Sequence, residues 1–471
     1  MKKKGLYLSI ILFSVWTLSG CDDFLTVTPI SDLTSDSFWK TESDANVGVV
    51  AIYNAFSKAM SPGMWNWGEA RSDNFDYYEK DAPDQRELVE NNILIDNSAA
   101  LWTSLYNVIG KANAAIKYIP GIMMQPALKN HYLAEAYAMR AWAYFYCIRV
   151  WGDVPLYLEP VEEVSQGIYR TRMSKDYIIE NVILPDLENA YYMIDKTNTT
   201  RTRMNVATVC LLLMDVYAWI HDYEMVIKIK EERVNKLDGT SEEKLSNTWG
   251  YLVYGGSDFI QNWRGMFIES TTGSVSPEVW FKLSYDQYGN GTNSAIGYFA
   301  KSTAKLTVSN TLKNAYATAD LRRSAQWSGN RLTLKFWEDG TVFSGDGAIM
   351  SENDLVLYRY ADVVLLYAEA LNELGRTDEA ITQLNKTHLR AGNAAFTAIS
   401  FNSQSELADA ILAERQKEFV GEGKRWFDLV RTGKWAEHSQ LTDPVKVLFP
   451  IHRDHLNENP ELTQNEGYPY P

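Results

Sequence analysis

Cysteine is scarce: three residues in 471, Cys21, Cys147 and Cys210, too few for a disulfide framework. Cys147 in AYFYCIRVW and Cys210 in ATVCLLLMD lack ligand-like neighbours and are expected to be small core residues on helices. Positive charge is also short, with 45 Lys and Arg against 60 Asp and Glu and a net charge of −15. Without residues 1–20, which hold three of the basic residues and none of the acidic ones, the net charge is −18. Nucleic acids are bound by cationic side chains that displace counterions from phosphates. No basic cluster offers that here, so polyanionic partners are disfavoured and neutral ligands fit better. The sequence has no phosphate-cradling glycine loop, no nucleophile elbow and no HExxH, and GGSDF at Gly255 is a glycine pair in a loop. No EF-hand pattern is present, so no cofactor is expected, with a structural calcium among loop acids and amides left open. Beyond the leader, no apolar stretch approaches the length needed to cross a bilayer.

The leader itself is informative. Lys2, Lys3 and Lys4 precede an apolar run from Leu6 to Leu18, too short to span about 30 Å of hydrocarbon as a helix. Residues 1–20 therefore read as a secretory signal. Leu18-Ser19-Gly20-Cys21 resembles the lipobox of bacterial lipoproteins, in which the cysteine is acylated and becomes the first mature residue. Lipid on Cys21 would anchor residues 21–471 to a membrane without crossing it, each buried methylene contributing about 0.8 kcal/mol. Asp22 and Asp23 resemble the surface-export signal of Bacteroidetes lipoproteins.

From Thr34 to Leu237 the apolar spacing is mostly helical. Ala134, Ala138, Ala141, Phe145 and Ile148 fall on one face, and Gly152 with Pro155 beyond it should end that helix. A second helix should end near His221-Asp222, with another starting within a few residues. In YRYADVVLLYAEALNELGRTDEAITQLNKTHLRAG one helix carries Ala361, Val364, Leu365, Ala368 and Leu371. Gly375 breaks it, and a second starts at about Asp378. Such pairs resemble the tetratricopeptide repeat, in which small residues let helices approach closely. Residues 239–350 break the pattern: they hold 13 of the 28 glycines and one strand-like stretch, EVWFKLSY. The reading is a mainly α protein with a helical-repeat scaffold over about 34–237 and 351–435. A loop-rich lobe with little β-structure covers about 239–350, and an extended tail about 436–471.

Aromatics reach 13%, with 15 tryptophans and 28 tyrosines, more than packing requires, so some are expected on a recognition surface. Sugars present C–H faces and rims of hydroxyls, so a site for them needs flat rings beside Asp, Asn and Arg. Trp65 and Trp67 follow Pro62-Gly63 in an expected loop, with Asp73, Asn74 and Asp76 close behind. The lobe offers Tyr285, Tyr288, Asn290 and Tyr298 among glycines, and Trp327 in RRSAQWSGNR. These are the candidate ligand-binding residues. Trp102, Trp142, Trp151 and Trp426 lie in helical patterns and are assigned to the core. Glu414, Arg415, Glu418, Glu422 and Arg425 interleave at helical spacing, which favours structural ion pairs over acid/base machinery. His452 and His455 could share a metal, but no third ligand is evident.

Five segments carry a specific resemblance: CDDFLTVTPISDLTSDSFWKTESDA, LWTSLYNVIGKANAAI, AEAYAMRAWAYFYCIRVWGDVPL, ERQKEFVGEGKRWFDLVRTGKW and LFPIHRDHLNENPELTQNEGY. They are similar to the SusD/RagB-like nutrient-binding lipoproteins of the Bacteroidetes, with His452 standing where that family usually has proline. The resemblance implies a fold of four tetratricopeptide-like helix pairs with a loop-rich lobe. It implies a lipid-anchored, non-catalytic protein of the outer-membrane surface that captures a nutrient, most often a glycan, as the lid of a SusC-like TonB-dependent transporter. Two alternatives stand beside it: RagB-like capture of peptides on the same fold, and a less favoured surface glycoside hydrolase. The latter would need two carboxylates about 5 to 10 Å apart, and nothing in the sequence pairs them.

Overall fold

The computed structural model describes residues 38–78, 82–162, 168–237, 249, 252, 255–267, 276–285, 293, 298–299, 304–328, 331–332, 335 and 353–470, with the side chains of 327–328 and 331–332 left out. Cys21 and half of the stretch 239–350 lie outside them. The longer helices are numbered here: α1 Glu42–Gly68, α2 Thr103–Tyr118, α3 Pro126–Trp151, α4 Leu184–Met193, α5 Val206–Trp219, α6 Tyr223–Ile229, α7 Tyr360–Glu373, α8 Thr377–Arg390, α9 Gln404–Phe419 and α10 Arg425–Arg431. A short α11 covers Arg453–Glu458.

Neighbours in the chain pack as neighbours in space: α1 on α2, α2 on α3, α3 on α4, α5 on α6, and α7 on both α8 and α9. This is the expected tetratricopeptide-like arrangement. Ala134, Ala138 and Ala141 of α3 are fully buried, small enough to admit the helices on either side. Chain breaks fall where local chemistry puts them. Gly152 (φ 75°) and Gly375 (φ 75°) take the left-handed conformation that ends α3 and α7. After α5, the Asp222 side chain accepts from the Met225 N–H and caps α6. One expectation is overturned: α1 runs straight through Pro62 and Gly63. Gly63 is needed there because a Cβ would overlap the Trp67 ring, so the pair marks a close approach and not a loop.

Strands are few and short. The EVWFKLSY stretch supplies β4 (Val279–Leu283), which pairs antiparallel with β8 (Leu355–Arg359). The other two-stranded pieces are β1 (Phe75–Tyr77) with β5 (Leu306–Val308), β2 (Val154–Pro155) with β3 (Arg172–Met173), and β6 (Trp327–Ser328) with β7 (Arg331–Leu332). Phe281 of β4 and Tyr358 of β8 enter the main core against α3, where Trp142 stacks on Tyr358 at 5.0 Å and meets the edge of Phe281 at 5.0 Å. Cys147 and Cys210 are fully buried, and burial pushes the Cys210 thiol up to about 12.

The interleaved Glu414, Glu418 and Glu422 do form structural ion pairs, but with arginines from other parts of the chain and not with Arg415 or Arg425, in a sealed network joining the strands to the helices. Arg322 donates to Glu414 (2.7 Å), Glu418 (2.9 Å) and Asp320 (2.7 Å). Arg359 at the end of β8 donates to Glu278, Glu418 and Glu422, and Arg390 also reaches Glu418 and Glu278. Every one of these side chains is at most 4% exposed. Nearby, Arg415 bridges Asp362 and Asp428.

Distant parts of the chain also close on one another. Arg71, just after α1, donates to the carbonyls of Lys446 (2.7 Å) and Val447 (2.6 Å) and lies 4.2 Å over the Trp426 ring. Burial without a carboxylate partner brings its pKa down to about 10. The Gly423 N–H donates to Glu69 at 2.9 Å, and the Trp102 N–H donates to His455 Nε2 at 3.2 Å.

Candidate functional site

One face of α2 is left uncovered by its neighbours. Thr103, Tyr106, Asn107, Gly110, Lys111 and Ala114 recur at helical spacing and form the floor of a cleft of about 1120 Å³. The chain following β2, residues 157–162 and 168–169, makes one wall, and α11 with the following turn makes the other. The walls are held by side chains buried beneath them. Tyr144 donates to the Tyr157 carbonyl and accepts from its N–H, both at 2.8 Å, and Asn113 donates to the same carbonyl at 2.9 Å. Tyr106 donates to the Pro155 carbonyl at 2.6 Å, and Lys117 on α2 pairs with Glu162 at 2.7 Å.

The rings make a connected surface. Tyr106 meets Tyr157 edge-on at 5.9 Å and Trp102 at 5.6 Å, and Trp102 stacks on His455 at 4.8 Å and 15°. Tyr169, 52% exposed, stands at the opening. Burial, reinforced by His452, lowers His455 to about 4, so the ring is neutral near pH 7 and its Nε2 remains an acceptor for the Trp102 amide. Asn107, Lys111 and Asn457 bring polar groups to the lining. Flat rings beside amides in an open cleft can stack on the C–H faces of a saccharide while hydrogen-bonding its hydroxyls.

Those residues singled out from sequence that the structure describes lie elsewhere. Trp65 and Trp67 are core residues of α1, 0% and 4% exposed: Trp65 packs on Phe299 at 5.1 Å, and Trp67 donates Nε1–H to the Ala99 carbonyl at 2.8 Å. Tyr285 and Tyr298 are buried too, the first with its hydroxyl 3.3 Å from Ser57 and the second donating to Asn66 at 2.9 Å. Asn74 is fully buried, donating to Glu69 at 2.8 Å and accepting from Gln416 at 3.0 Å. Asp73 is gripped by Arg425 at 2.9 and 3.0 Å and by His438 at 3.0 Å. Burial alone would raise the Asp73 carboxyl, but His438 and Arg425 outweigh it and hold it at about 2. Asp73 and Asp76 line a smaller pocket of about 260 Å³ with Ser309, Thr311, Glu437 and His438. Tyr288 and Asn290 lie outside the described residues, and so does the side chain of Trp327.

Trp102, assigned to the core, is 6% exposed and yet forms part of the cleft. The signal that could have found this site is the Tyr106, Asn107, Gly110, Lys111, Ala114 face, too polar and too small for a helix packed on every side. His452 caps α11, its Nδ1 accepting from the Asp454 N–H at 3.1 Å, and its φ of −60° is the value a proline ring would fix. Among the described residues no group of three His, Cys, Asp or Glu is placed to hold a metal.

The family model described as SusD family matches residues 181–468, and one described as starch-binding associating with outer membrane matches residues 23–217. SusD-like protein P38 of Formosa agariphila is 29% identical over 515 aligned positions that span 98% of each chain. Among solved structures, Bacteroides fragilis NanU superposes with a TM-score of 0.76 at 21% identity, over 94% of this chain and 100% of that one. A SusD homolog from Bacteroides thetaiotaomicron superposes with a TM-score of 0.73 at 23% identity, over 90% and 98%.

Proposed function

The chain belongs to the SusD family, and on that footing we propose that it is a non-catalytic, outer-membrane nutrient-binding lipoprotein. It captures a neutral oligosaccharide or polysaccharide and hands it to a SusC-like TonB-dependent transporter. The observation that carries the ligand class is the aromatic cleft: Trp102, Tyr106, Tyr157 and Tyr169 around a floor bearing amides. Membership of a family whose second matching model is described as starch-binding and outer-membrane-associated supports both the ligand and the location. Lipid on Cys21 would hold the protein at the surface while it opens and closes over its transporter. The smaller pocket beside Asp73 and the lobe residues Tyr288, Asn290 and Trp327 are further candidate contacts of a long ligand.

Native gels containing starch, laminarin, arabinoxylan or galactomannan, followed by calorimetry on the polysaccharide that retards the protein, test this reading. Tyr169→Ala should weaken binding by about 1 kcal/mol, roughly fivefold, without lowering the melting temperature, because the ring is exposed and stacks only on ligand. Retardation by none of these polymers, or wild-type affinity in the variant, counts against the cleft as a saccharide site.

A further inference from the structure

Glycine inside a helix is destabilising relative to alanine, so each one calls for a local reason. In α1 the reasons are visible: a Cβ at Gly48 would overlap the Trp39 ring, one at Gly63 the Trp67 ring, and one at Gly68 the Gly423 backbone. Gly110 has no such reason. It lies in the middle of α2, outside the left-handed region, and a Cβ built there meets no atom within 4 Å. The open space above it is the floor of the aromatic cleft, between Tyr106 and Ala114 on the same helical face.

We propose that Gly110 is a specificity-determining residue, its bare backbone being the surface on which the C–H face of an uncharged sugar ring rests. This deepens the saccharide reading of the cleft and rests on it. A methyl group at this position would lift the ring off the floor, away from the edges of Tyr106 and Tyr157 and from the amide of Asn107. Because the helix itself gains from the change, the variant is expected to separate binding from stability: alanine here improves the protein and damages the site.

The test uses the full-length lipoprotein in detergent and the same four polysaccharides. Gly110→Ala should weaken binding about tenfold, the usual effect of one misplaced carbon in a fitted pocket, and Gly110→Leu should abolish it. Melting temperatures should be equal to or slightly above wild type in both. Tyr169→Ala serves as the reference. If it loses affinity while Gly110→Leu binds like wild type, the saccharide reading stands and the role of Gly110 is refuted. If both variants bind like wild type, or no polymer retards the parent protein, the cleft is not the saccharide site and both statements fall. A lowered melting temperature in Gly110→Ala would make the glycine structural and refute the proposal. So would unchanged glycan affinity in Gly110→Leu with loss of co-purification of a β-barrel partner, since a protein would then occupy the space.

Discussion

Asp73 illustrates how a residue's neighbours decide what it can do. A carboxylate in a run of Trp, Asp and Asn suggests a hydrogen-bonding partner for a sugar. In the folded chain Arg425 and His438, more than 350 positions away, engage both of its oxygens, and neither could be located from the local sequence. Its pKa of about 2, and that of Asp362 beside Lys424 and Arg415, also about 2, lie below the unfolded value of about 3.9. The stability they contribute is present above about pH 4 and is lost as pH falls through about 2. Acid titration followed by circular dichroism should therefore show a transition concentrated between pH 4 and 2. Asp73→Asn should lose about 3 kcal/mol at pH 7, because Arg425 is left buried without its counter-charge, and denaturant unfolding measures that loss. The tryptophans carry the same lesson. Pro62-Gly63 reads locally as a turn, whereas Gly63 makes room for the Trp67 ring within an unbroken helix.

Elements were more legible than their partners. The ends of α3, α5 and α7 follow from Gly152, from His221-Asp222 and from Gly375, because a left-handed residue or a side-chain cap acts within a few positions of itself. The β4 strand is equally local, a run of β-branched and aromatic residues. Its pairing with β8 across more than 70 residues of chain leaves no periodic trace, and neither does the uncovered face of α2, since whether a helix face is covered depends on what lies beside it. What ties β4 and β8 to α9 is charge. Glu418 accepts from Arg322, Arg359 and Arg390, so Glu418→Gln should destabilise the protein by about 3 kcal/mol by leaving an excess of buried cations. Because the pairs are sealed from solvent, the loss should be the same at low and high salt, which equilibrium unfolding at two ionic strengths checks.

At the scale of the molecule, the helical character was readable from small residues and helix breaks, and the family from the resemblance of five segments spread along the chain. The aromatic cleft was not, since its rings come from α2 and the residue before it, from the chain after β2 and from α11. Anchorage is a property of the whole molecule as well. The domain has a net acidic charge, and among its described residues no helix is long and apolar enough to cross a membrane. Lipid at Cys21 is the hold on the bilayer proposed above. Cys21→Ala should move the protein from the membrane fraction to the soluble fraction with its melting temperature unchanged, as fractionation and thermal unfolding of the released protein would show; retention in the membrane would refute the anchor.

The contacts that join Arg71 to Lys446 and Val447, Glu69 to Gly423 and Trp102 to His455 have a consequence in time. Each links residues more than 350 positions apart, and at about 5 to 20 residues per second of synthesis the second partner emerges tens of seconds after the first. Until then Arg71 and Glu69 at the end of α1 have only nearby partners, Asn91 and Asn74, and α2 lacks one wall of its cleft. The amino-terminal helices can pack on one another earlier, but their contacts are complete only once the tail has been made. The timing of that completion is a property of where the tail docks.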